Sequence, residues 1–107
     1  MARTEPYTVG YDEVIAEHLK AIERKHFGLI MRSIEEQLRH TPASESRNRK
    51  LLVPPAPYGA SWELRCGPGN RFRVLYSVQP ESRTVEILAI GVKDRNRLLF
   101  GTAEDEQ

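Results

Sequence analysis

"SWELRCGPGNRFRVLYSV", residues 61–78, decides how this chain folds. Two alternating segments flank Gly67, Pro68, Gly69 and Asn70, a run of turn-forming residues. Alternation sends Trp62, Leu64 and Cys66 to one side and Glu63 and Arg65 to the other, because successive strand side chains point to opposite faces. Phe72, Val74 and Tyr76 share a side in the second segment. The spacing predicts a hairpin with strands over 61–66 and 71–79. Arg65 and Arg73 lie on its polar side and Arg71 at its turn, although the 107-residue chain has a net charge of only +1.

Beyond the hairpin, "TVEILAIGV" (residues 84–92) is almost wholly apolar, as a central strand covered on both faces would be. Before it, "YTVGY" (residues 7–11) alternates and reads as a short strand. Asp12 suits a helix N-cap, where a carboxylate accepts from unpaired N–H groups of the first turn. Val14, Ile15, Leu19 and Ile22 follow at helical spacing; Phe27, Ile30, Ile34 and Leu38 resume it past Gly28, and Pro42 closes it. Helices over about 12–26 and 28–40 form a helical hairpin. Residues 41–60 hold four of the seven prolines, with Leu51–Val53 as a short edge segment that Pro54 and Pro55 end.

That order predicts an α+β fold: an N-terminal strand and a two-helix hairpin packed on one face of a mainly antiparallel sheet. The other face is expected to be free for function. One domain is expected over residues 1–107, with a short acidic tail from about residue 102. The tail holds three of the fifteen acidic residues, so the preceding chain carries sixteen basic against twelve acidic side chains.

Several function classes are disfavoured by composition. No apolar run is long enough to cross a bilayer and residues 1–6 have no signal-type apolar stretch, so a cytoplasmic protein without a membrane partner is expected. Cys66 is the lone cysteine, which reads as a small buried hydrophobe and excludes an internal disulfide. No phosphate-binding loop, dinucleotide fingerprint or zinc-type spacing is present, and neither metal nor cofactor is expected. His18, His26 and His40 all fall in the helical segment and read as surface or helix-end residues.

Cationic chemistry remains. Besides Arg65, Arg71 and Arg73, the chain carries Lys93, Arg95 and Arg97 after the central strand, and Arg47, Arg49 and Lys50 in the proline-rich segment. Guanidinium groups grip phosphate bidentately and stay charged, so such a set on an open sheet face suits a phosphate group. The competing reading pairs these arginines with Glu63, Glu86 or Asp94.

"WELRCGPGNRFRVLYSV" and "VEILAIGVKDRNRLLF", in this element order, resemble the RelE/ParE superfamily of toxins from type II toxin–antitoxin pairs, over residues 7–100. The resemblance implies a RelE-like fold, a partner antitoxin, and inhibition of translation by metal-independent cleavage of mRNA on the ribosome. Two alternatives accompany it: a toxin of the same fold acting on DNA gyrase or another protein, and an inactive binding module. Arg73 matches the family arginine that stabilises the reacting phosphate; Arg65, Lys93 and Arg95 complete the implied catalytic set. Arg71, Arg97, Arg47, Arg49 and Lys50 are the implied RNA-binding residues. Phe100 stands where the family has a tyrosine base, and Asp94 where it has arginine. Lys93, Glu63, Glu86 and Tyr76 are then the candidate proton acceptors. The antitoxin is expected on the free sheet face and in the groove beside the helical hairpin, whose apolar residues Ile30, Ile34 and Leu38 adjoin a basic sheet.

Overall fold

The computed structural model describes residues 5–101; the expected acidic tail lies outside them. Strand β1 (Thr8–Tyr11) leads into helix α1 (Val14–Lys20) and helix α2 (Phe27–Leu38). Edge strand β2 (Arg49–Leu51) follows, then β3 (Trp62–Cys66), β4 (Phe72–Gln79), β5 (Thr84–Asp94) and β6 (Arg97–Phe100). The sheet order is β1-β5-β4-β3-β2, with β6 also pairing β5. Every pairing is antiparallel except β1 with β5.

The hairpin of residues 61–78 forms as its alternation requires. Cys66 faces Phe72 and Trp62 faces Tyr76 across β3 and β4, and all four side chains are buried. They meet Ile30, Ile34 and Leu38, each wholly buried, from the α2 side. Val85, Ile87 and Ile90 of β5 complete this core. An irregularity between Leu75 and Tyr76 shifts the β4–β5 register, so Leu75 faces Ala89 while Tyr76 faces Ile87.

Asp12 caps α1 as expected: its Oδ1 accepts from the Val14 N–H at 3.0 Å. The helical hairpin differs from expectation in its break. Gly28 lies inside α2, where a Cβ would meet nothing within 4 Å, and does not interrupt it. The chain instead leaves α1 at Ala21 and is extended at Glu23 (φ −59°, ψ 136°), before a single 3-10 turn at Arg24–His26. That break turns Ile22 into the core at 6% exposure.

Two further departures shape the site. The sequence reading stopped the last strand at residue 92, whereas β5 runs to Asp94 and returns as β6 through a tight turn at Arg95 (φ 60°). The face opposite the helices is also only half open. Leu52 and Ala60, from the proline-rich segment, pack with Leu75, Leu88, Ala89 and Phe100 in a second apolar cluster. The segment therefore covers one end of that face, and the Arg65–Arg73 end remains uncovered.

Candidate functional site

Strand register builds the open end of the face. Arg65 on β3 sits directly opposite Arg73 on β4, and Arg73 opposite Gly91 on β5. Like charges in directly opposed positions repel. Glu63, two residues before Arg65 and on the same face, answers that repulsion. Its Oε1 accepts from Arg65 Nε at 2.9 Å, and its Oε2 lies 3.4 Å from Arg73 Nη1. Arg73 Nε also donates to the Asn70 carbonyl at 2.9 Å.

Both arginines are thus held by one edge of the guanidinium. The carboxylate is the most enclosed member, with side-chain exposures of 9% for Glu63, 12% for Arg73 and 35% for Arg65. A charge buried to that degree is tolerable only when paired. The two Nη atoms of Arg65 and Nη2 of Arg73 make no hydrogen bond to the described residues. Three guanidinium nitrogens are therefore not engaged by the clamp, in which two arginines and one glutamate leave one net positive charge.

The other expected residues divide by location. Lys50 pairs in register with Glu63, and Lys93 lies two residues past Gly91, so both border the arginine pair. Arg95 and Arg97 are exposed at the β5–β6 turn. Arg47 is exposed in the loop before β2. Arg49 turns to the helix side, donating to Gln37 Oε1 at 2.5 Å and to the Ser44 carbonyl. Arg71 also departs from the group: its guanidinium lies near the Phe72 ring and lines a separate cleft of about 330 Å³ with Glu23, His26 and Asp94.

Among the candidate proton acceptors, Tyr76 is excluded from the face. It is fully buried on the helix side, its hydroxyl donates to the Pro42 carbonyl at 2.7 Å, and burial pushes its pKa far up. Glu86 pairs with Gly10 and Ser77 at the far end of β5. Glu63 is committed to the two arginines. Phe100 covers Gly91, where a Cβ would lie 2.7 Å from the phenyl ring.

His18 contradicts its reading as a surface residue. It is 3% exposed, and its Nδ1 accepts from the Ile90 N–H at 3.1 Å. Ile90 lies between the β5 residues paired with β1 (84–87) and those paired with β6 (91–94), so the imidazole fills a gap in the ladder. Its Nε2 lies 3.2 Å from the Tyr58 hydroxyl, and both rings touch Phe100. The apolar positions of α1 gave no sign of this, because the gap belongs to strands far along the chain. Cys66 matches its reading: it is buried, and burial raises its thiol pKa.

Among the described residues, no three metal-ligating side chains cluster, and no helix is long and apolar enough to cross a membrane. No protein-family model matches the chain, and no curated protein matches it significantly. Among solved structures, it is similar to a chain of the crystal structure of the toxin–antitoxin complex RelBE2 from Mycobacterium tuberculosis. The TM-score is 0.65 at 23% identity, covering 82% of this chain and 99% of that one. The fold is RelE-like α+β.

Proposed function

We propose that this chain is the toxin of a type II toxin–antitoxin pair, and that its Arg65–Arg73 face holds RNA phosphate during metal-independent cleavage of mRNA on the ribosome. The carrying observation is the opposed arginine pair, clamped by Glu63 with three guanidinium nitrogens left unengaged. Preset donors of this kind stabilise charge that develops on a phosphate as it is attacked by the neighbouring 2′-hydroxyl. Lys50 and Lys93 extend the positive border along which a strand would lie. The RelE-like fold and its occurrence in a toxin–antitoxin complex support the same reading.

Ile30, Ile34 and Leu38 are wholly buried against the sheet, so the part of the antitoxin that lies beside the helical hairpin needs other apolar residues. A groove of Ala16, Leu19, Ile22 and Phe27, bordered by Lys20 and Arg24, suits an amphipathic acidic segment.

Two observations favour a second reading, a protein target such as gyrase. Glu63 cancels much of the charge on the arginine pair, and Phe100 has no proton to exchange. Controlled expression, alone and with the product of the adjacent gene, tests both. Growth arrest relieved by the neighbour, with new 5′ ends on messages in primer extension, is expected. Arrest with broken chromosomes and intact messages would establish the second reading; no arrest would reject both.

A further inference from the structure

We propose that Tyr58 is the general acid of the RNA cleavage proposed above, on which this inference rests, and that His18 is its positioning residue. Tyr58 is 47% exposed, and its ring stands edge-on to Phe100 with centroids 5.1 Å apart. Phe100 pairs with Gly91, and Gly91 with Arg73, so the tyrosine and the arginine pair border one row across the sheet. Two strand spacings, about 10 Å, separate the Phe100 and Arg73 backbones. A nucleotide held by the arginines can bridge that distance towards the tyrosine across the Phe100 ring, which packs on Gly91.

The imidazole specifies the chemistry. A backbone N–H can only donate, so the Ile90 bond makes His18 Nδ1 an acceptor and leaves the proton of the neutral ring on Nε2. That N–H is aimed at the Tyr58 oxygen at 3.2 Å. It shares the negative charge left on that oxygen when the phenol gives up its proton. Tyr58 is also held at φ 61°, an uncommon backbone state for a bulky residue and one that collects at functional sites.

In the reaction, the 2′-oxygen bonds to phosphorus and its proton passes to water. The bond from phosphorus to the 5′-oxygen breaks, and that oxygen takes the Tyr58 proton. The phenolate, held by His18, recovers a proton from the hydronium ion just formed. The products are a 2′,3′-cyclic phosphate and a 5′-hydroxyl, with no net proton change.

The test measures cleavage of ribosome-bound mRNA by the full chain. Tyr58→Phe should lower kcat by about 10²–10⁴-fold with KM little changed. On an RNA whose scissile 5′-oxygen is replaced by sulfur, a leaving group that needs no proton, that deficit should vanish. His18→Asn keeps an acceptor for the Ile90 N–H but cannot reach Tyr58. It should lower kcat while leaving KM and the melting temperature in place, and His18→Gln, whose amide reaches the tyrosine, should recover part of the loss. Full activity in Tyr58→Phe, or an equal deficit on both substrates, would overturn the role of Tyr58 alone. Absence of cleavage by the wild-type chain would remove the RNA-cleavage reading and this inference with it.

Discussion

At the scale of single residues, two positions carry more than their size suggests. Gly91 leaves room for the Phe100 ring, and a Cβ there would also lie 2.9 Å from the Leu99 carbonyl. Gly91→Ala should therefore lower stability by roughly 1–3 kcal/mol through overpacking, read from urea denaturation. Glu63 acts on charge instead. Glu63→Gln keeps the shape of the side chain but turns a paired carboxylate into a neutral amide facing arginine. A loss of roughly 1.5–3 kcal/mol is expected, as for hydrogen bonds to charged groups. The NMR signals of the Arg65 Nε–H and Arg73 Nη1–H groups should lose their solvent protection together, while Arg73 Nε–H, held by the Asn70 carbonyl, keeps its own. Broadening of only one would mean that the clamp is not shared.

The elements show how much the chain pattern disclosed. Strands β3 and β4 were legible because both the alternation and the turn residues lie within eighteen consecutive positions. The cap of α1 was legible for the same reason. Asp12→Ala should cost about 1 kcal/mol in thermal denaturation, the usual worth of such a cap. Strand β6 was missed because Arg97–Phe100 is short and follows a charged turn, so only its pairing with β5 makes it a strand. The role of His18 was missed for a deeper reason. Its partner Ile90 is 72 residues away, and helical periodicity reports that a side chain faces inward, not which strand gap it meets. The arginine pair was legible as two polar-side residues; the Glu63 clamp needed the register.

For the whole molecule, acid groups buried in the core set an alkaline limit to stability. Burial raises the thiol of Cys66 from its ordinary 9.0 and the hydroxyl of Tyr76 from 10.0. Both are neutral when protonated, so folding favours the protonated form. Their contribution is complete below those unfolded values and is lost progressively as pH rises through the higher folded ones. The urea midpoint should therefore fall between about pH 8 and pH 11. Tyr76→Phe should flatten that fall while lowering stability at neutral pH, because the Pro42 carbonyl loses its donor. The parallel pairing of β1 with β5 has a consequence for synthesis. The first strand made by the ribosome has its sheet partner at Thr84–Ile87, and β5 in turn needs Arg97–Phe100. A nascent chain can close α2 and pair β3 with β4 early, yet β1 stays without its sheet partner until Thr84–Ile87 has emerged. Translation interrupted before Gly91 therefore releases fragments in which the hairpin carries Arg65 and Arg73 but Arg73 has no β5 neighbour beside it.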